Sequence, residues 1–161
     1  GLVALWLAWL AIAQARVMGI EFLLSVLVLV WVADIFAYFS GRALGGRFSK
    51  GKLAPSISPG KSWEGVWGGM AGVVALSLAW IFLGGNTIYS QLVQRHGIVL
   101  MLLAVIFLAA MSVVGDLVES LIKRSAGVKD SSGLLPGHGG VLDRIDALLP
   151  TLPLAMMLVT L

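Results

Sequence analysis

The sequence predicts an all-α, polytopic membrane protein, with about five membrane helices and two polar loops on one side. Three observations predict it. Of 161 residues, 59% are hydrophobic and 12% charged, against roughly 45–50% and 25% in an ordinary soluble domain. Continuous apolar runs over residues 20–40, 63–83 and 98–118 each reach about the 20 residues that cross a bilayer as helix. Charge is also segregated: 14 of the 19 Asp, Glu, Lys and Arg residues fall within 41–64 and 119–146. A sheet is not expected, because the apolar stretches are continuous and a lipid-exposed sheet edge would leave backbone groups unpaired.

The elements follow in order. Residues 2–13 are apolar but short, begin without Met or a basic leader, and read as the tail of a helix with further helices ahead of it. The run 20–40 carries an acid, Asp34, about six residues or 9 Å of helix from Ser40. An acid at that depth costs a few kcal/mol unless it faces a cavity or a partner. It is either functional or paired with an Arg of a neighbouring helix. Tyr38 lies one turn on, on the same face.

The first polar loop holds Arg42, Arg47, Lys50, Lys52 and Lys61 against Glu64. Gly60-Lys61-Ser62 within it resembles the end of a nucleotide P-loop, but Pro55 stands where that motif needs Gly, and no strand–loop–helix unit surrounds it. Two readings remain for this loop. Ser56, Ser58, Ser62, Lys61 and backbone amides ahead of a helix starting near Trp63 can hold phosphate oxygens, or the basic residues lie on anionic headgroups. Along 63–83, Gly65, Gly68, Gly69 and Gly72 mark a small-residue face for close helix packing.

The connections near Arg16 and near Arg95 and His96 are poor in charge. If the spans alternate, both charged loops lie on one face, which the positive-inside rule makes cytoplasmic. Residues 145–161 are long enough to span if tilted or extended, with Pro150 and Pro153 near their start. There is no cysteine, which excludes disulfides and thiolate metal sites. The net charge of +3 is small, no nucleic-acid partner is expected, and nothing divides residues 1–161 into separate domains.

The second polar loop carries most of the chemistry. Asp116, Glu119, Ser120 and Lys123 share one face of an emerging helix. Asp143 and Asp146, three apart, share another, with Arg144 turned elsewhere. Carboxylates without Cys, and with His138 the one nearby imidazole, suit Mg²⁺ bound jointly with substrate phosphates. A salt-bridge network capping the helix ends is the alternative. His138, set among glycines, reads as a phosphate donor or a loop hydrogen bond.

The stretch 120–146, SLIKRSAGVKDSSGLLPGHGGVLDRID, resembles the signature of phosphatidate cytidylyltransferases, also called CDP-diacylglycerol synthases. Asp34-x-x-Ala37-Tyr38-Phe39-x-Gly41-Arg42 and Ser58-Pro59-x-Lys61-Ser62-Trp63-Glu64-Gly65 are similar to further family motifs, many members having Lys where Gly60 stands. The likeness covers residues 30–150, and the family's members extend further at the amino end. It implies a multi-pass protein of the bacterial cytoplasmic membrane that converts CTP and phosphatidic acid into CDP-diacylglycerol and pyrophosphate on the cytoplasmic side. Membrane lipids would surround it, and it would act as a homodimer.

The resemblance assigns metal binding, Mg²⁺ with room for a second cation, to Asp116 and Asp143, with Asp146 and Asp130 as further ligands or their supports. It assigns phosphates to Lys123, Arg124, Lys129, His138 and Arg144, assisted by the amides of Gly137, Gly139 and Gly140. Ser58, Lys61 and Ser62 complete the phosphate pocket, and Asp34 supports the cavity where the lipid headgroup enters. Two rival functions remain at this stage. One is a CTP-dependent polyprenol or phytol kinase, and the other a transporter or scaffold using Asp34 and Asp116 for ion coupling. The Asp-Gly-x-x-Ala-Arg element of CDP-alcohol phosphotransferases is absent.

Overall fold

A computed structural model of the chain describes residues 2–49, 52–128, 131–132 and 140–161, the side chain of Arg144 excepted. The helices are α1 (Leu2–Met18), α2 (Ile20–Leu44), α3 (Trp63–Leu83), α4 (Ile88–Ser125), the single turn α5 (Leu142–Ile145) and α6 (Leu148–Thr160). Three of them, α2, α3 and α4, are long and apolar enough to cross a membrane. These are the proportions of an integral membrane protein.

One departure from the all-helical expectation lies between α2 and α3. There β1 (Lys52–Ala54) and β2 (Ser58–Ser62) pair antiparallel, Lys52 opposite Ser62 and Ala54 opposite Ser58, with an irregularity between. The argument against a sheet in lipid does not reach a hairpin in a polar loop, where water completes the outer edges. Pro59 is tolerated because each strand has an open edge.

Lipid tails are as apolar as the side chains, so helix association here depends on close fit more than on escape from water. Small residues supply that fit. On α1 the buried residues are Ala8, Ala11 and Ala15. On α3 a Cβ added at Gly69 would stand 2.8 Å from the Ala33 carbonyl oxygen of α2, and one at Gly65 would stand 2.9 Å from that of Ala37. Around this seam Phe22, Val26 and Leu29 of α2 join Val73 of α3, Met101, Val105 and Leu108 of α4, and Leu152 and Val159 of α6 in one core.

The ends of the helices are fixed by local polar bonds. Ser62 caps α3, its hydroxyl accepting from the Gly65 amide at 3.1 Å. Thr87 and Ser90 form a reciprocal box at the start of α4. On the face away from the polar loops, Glu21 accepts from the Asn86 amide at 2.8 Å, tying the start of α2 to the α3–α4 turn. Helix α4 is longer than the apolar run 98–118 because it includes an amino-terminal piece, broken from the rest at Gly97 (φ 82°), a conformation that glycine adopts freely. Its other end continues past the apolar run to Ser125. There Gly127 (φ 72°) closes a C-terminal motif in which the amides of Gly127 and Val128 donate to the carbonyls of Arg124 and Lys123. Both polar loops consequently open at the same end of the helices.

Candidate active site

At that end α2, β2, α3 and α4 enclose a cleft of about 530 Å³. Asp34, Tyr38 and Arg42 line its α2 side, Lys61 and Ser62 its hairpin side, and Asp116 its α4 side. Asp34 is exposed within it, near enough to interact electrostatically with Asp116, Asp146 and Lys61. Lys61 crosses the cleft to Asp116, with Nζ 2.5 Å from Oδ2. That pair is partly open to solvent, 23% and 36% exposed, so it contributes little to stability. Its significance is placement, since it brings the hairpin cation onto the α4 acid.

Next to the cleft, carboxylate oxygens of Asp116, Glu119 and Asp146 lie within 4.8 Å of one another. Asp116 and Glu119 meet because they are three apart on α4. Asp146 reaches them because α4 is bare at Gly115, where an added Cβ would strike the Asp146 carbonyl oxygen at 2.7 Å and Pro150 at 2.8 Å. Glu119 is 6% exposed, and among the described residues its Oε1 has no hydrogen-bond partner. A buried, unsatisfied carboxylate oxygen beside two further acids is a costly arrangement for a protein to keep. Oxygen-only donors of this kind fit a hard divalent cation. Burial raises Asp146 above the usual carboxylate range, and the Asp116 charge adds to that, against the Ala147 amide and the lysines.

Asp143 occupies a different environment from the metal-binding role that the resemblance assigns to it. Its Oδ1 receives Lys123 Nζ at 2.7 Å, and its Oδ2 receives the Gly140 amide at 2.6 Å and the Ser131 amide at 3.0 Å. Burial works to raise its pKa, but Lys123 and the Gly140 and Ser131 amides prevail, holding the carboxyl well below the ordinary range. Lys123 also sits 2.6 Å from Glu119, so Asp143 borders the acid cluster through a shared lysine. The Gly140 amide, which the resemblance assigns to substrate phosphate, is engaged by Asp143 in this arrangement.

Of the remaining sequence-derived residues, Ser58 begins β2 and does not line the cleft, and Arg124 is exposed on another face of α4. Ser62 lines the cleft while capping α3. Lys129, Asp130, Gly137, His138 and Gly139 lie outside the described residues, as does the side chain of Arg144.

Sequence reasoning read Arg42 only among basic residues lying on anionic headgroups, and it gave Tyr38 and Glu64 no role. Tyr38 and Arg42, four apart on α2, are joined by a hydrogen bond from Arg42 Nη1 to the Tyr38 hydroxyl at 3.1 Å, a pairing that their helical spacing signals. Glu64, 7% exposed, accepts through Oε1 from the amides of Gly46, Phe48 and Ser49 and from the Ser49 hydroxyl, at 2.9–3.2 Å. That clamp closes the segment carrying the hairpin, and no local pattern announces it.

A sequence model of the cytidylyltransferase family matches residues 2–161. The chain belongs to the cytidylyltransferase family. Within it the chain is similar to the phosphatidate cytidylyltransferase of Haemophilus influenzae, 52% identical over 135 residues, which is 84% of this chain and 44% of that protein. It is similar to those of Pseudomonas aeruginosa, 47% identical over 95% of this chain and 53% of the relative, and Bacillus subtilis, 43% identical over 89% and 49%. The chain thus spans about half the length of the curated relatives it matches.

Proposed function

We propose that this chain transfers the cytidylyl group of CTP to phosphatidic acid, giving CDP-diacylglycerol and pyrophosphate. The observation that carries the reading is the junction of a membrane-level cleft with a carboxylate cluster and two lysines, in a chain of this family. A phosphate monoester, with a second pKa near 6, is mostly a dianion at pH 7. Its oxygen can attack the α-phosphorus of CTP directly. A new P–O bond forms there, the bond to the bridging oxygen of the departing pyrophosphate breaks, and the electron pair leaves with pyrophosphate. No side chain has to remove a proton.

The obstacle is repulsion between two polyanions. Lys61, at the mouth between hairpin and α4, is placed to face phosphate oxygens, and Lys123 screens Glu119 and Asp143 from each other. Ser62 offers its hydroxyl proton to a phosphate while its oxygen caps α3. Asp116, Glu119 and Asp146 would hold Mg²⁺, with room for a second cation beside it, and Asp143 would position Lys123 next to them. When bound, such cations neutralise phosphate oxygens and favour departure of pyrophosphate. Asp34 shapes the floor of the cleft and keeps the lipid phosphate at its rim by charge repulsion.

The basic excess of the first polar loop supports a cytoplasmic site, and the resemblance supports a homodimer in a bacterial cytoplasmic membrane. The test is to incubate the protein, reconstituted in liposomes, with α-labelled CTP, phosphatidic acid and Mg²⁺. Label is expected in the lipid fraction, with pyrophosphate released in equal amount. Label remaining entirely in soluble CDP, with transfer to a polyprenol or phytol acceptor, would establish a lipid kinase instead. Absence of nucleotide turnover beside cation-driven flux would establish a transporter.

A further inference from the structure

The cations around the cleft are not equivalent. Lys61 is paired with Asp116, and Lys123 is shared between Glu119 and Asp143. Arg42 lines the same cleft, yet among the described residues it meets no carboxylate, and its one hydrogen bond goes to the neutral Tyr38 hydroxyl. Among the described residues, Lys61 is the cation that acts on Asp34. A guanidinium with most of its donors open is suited to a tetrahedral oxyanion, which it can grip with two parallel bonds.

Depth identifies the anion. Arg42 lies in the last turn of α2, eight residues beyond Asp34, or about 12 Å along the helix. Helix α2 starts at Ile20, and about 20 residues of helix cross the hydrocarbon, so Arg42 stands at the level of lipid headgroups. Below it, three, four and seven residues back and on the same face of α2, Phe39, Tyr38 and Ile35 are exposed, with Tyr38 and Phe39 packed edge to face at 5.5 Å. An apolar wall under a headgroup-level cation fits a molecule with acyl chains below and a phosphate above. Free nucleotide has no use for such a wall.

The geometry points to Arg42, with Tyr38 orienting it, as the seat of the lipid substrate's phosphate, separate from the nucleotide phosphates gathered at Lys61 and the carboxylate cluster. The ligand class is a lipid phosphomonoester. A phosphodiester lipid carries a single charge and one fewer free oxygen, so it gains less from the same donors. This assignment rests on the proposed reaction, and it adds where each of the two anions sits.

The experiment compares wild type with Arg42→Ala, Arg42→Lys and Tyr38→Phe. In mixed micelles, KM for phosphatidate is expected to rise roughly tenfold or more in Arg42→Ala, the scale of losing charge-assisted bonds, with KM for CTP within about twofold of wild type. Lysine should restore part of the loss, and Tyr38→Phe should cost a few-fold. A second arm needs no turnover: dioctanoyl phosphatidate is titrated into detergent-solubilised protein, with dioctanoyl phosphatidylglycerol and inorganic phosphate as controls. Phosphatidate binding should weaken in Arg42→Ala, while the controls bind weakly to both proteins. An unchanged phosphatidate affinity, or a rise in KM for CTP in place of that for lipid, would overturn the assignment. Wild type that binds phosphatidate through Arg42 but never labels it would overturn the reaction and leave the site standing.

Discussion

At the scale of single residues, Asp143 and Asp146 show how little sequence spacing says about environment. They are three apart and share a helix face, yet the environment lowers the pKa of one and raises that of the other. Asp146 turns toward Asp116 and Glu119 and gains a single amide, whereas Asp143 gains Lys123 and the Ser131 and Gly140 amides. A carboxyl whose folded pKa is depressed stabilises the fold at every pH above its unfolded value, about 3.9. That contribution is lost as pH falls from there toward the folded pKa. The thermal stability lost in Asp143→Asn should therefore be constant from about pH 6 to 5, below the titration of neighbouring Glu119, which burial pushes up to about 7, and shrink only below about 4. Melting curves of both proteins across that range check it, and a gap closing between pH 6 and 5 would mean that Asp143 is not held by these donors. The acids themselves were legible, Asp116 and Glu119 by helical spacing and the others by a long motif. Their partners were not, because Lys123–Asp143 and Glu64 with its amides span 15 to 20 residues, and no local rule sets which side chain closes such a loop.

At the scale of elements, the bounds of α3 match the apolar run 63–83, since Ser62 caps one end and Gly84 (φ 78°) the other, both punctuation that a sequence displays. Helix α4 outran its apolar window because a helix does not stop where hydrophobicity does; only its caps and Gly97 mark its ends. The hairpin escaped notice because three- and five-residue strands with a proline carry almost no alternation to read. The seam between α2 and α3 was visible as glycines, and its tolerance can be calculated. Replacing a helical glycine gains up to about 1 kcal/mol in backbone propensity. At Gly69 the new Cβ meets a backbone carbonyl at 2.8 Å, and forcing packed elements apart costs about 1–3 kcal/mol. Gly69→Val, with two further methyls to place, should fall on the losing side by about 1 kcal/mol or more and reduce activity, because the seam sets the separation of Asp34 from Lys61. At Gly60 nothing lies within 4 Å of an added Cβ, so Gly60→Ala should keep its melting temperature. Equal melting of Gly69→Val and wild type would show that the helices are not in contact there.

At the scale of the whole molecule, the arrangement concentrates charge at one end of an apolar bundle and leaves the opposite end almost neutral. The proposed reaction requires such polarity, since in it a nucleotide arrives from water and a lipid from the side, and their phosphates must meet at one depth. The proposed cytoplasmic orientation rests on the same polarity. The first polar loop carries an excess of Lys and Arg over acid, whereas the far end carries only Arg16 and Arg95 beside Glu21. Retaining the basic end in the cytoplasm is the outcome that membrane insertion favours. The chain has no cysteine, so single cysteines report topology without background. Introduced at Lys52 or Ser125, which belong to the charged end, a cysteine should react with a membrane-impermeant maleimide only after the cytoplasmic face is opened. Introduced at Gln94, exposed on the far end, it should react in intact cells. Labelling of Lys52→Cys and Gln94→Cys from the same side would break the alternation of spans, and with it the meeting of Lys61 and Asp116 from which the cleft is built.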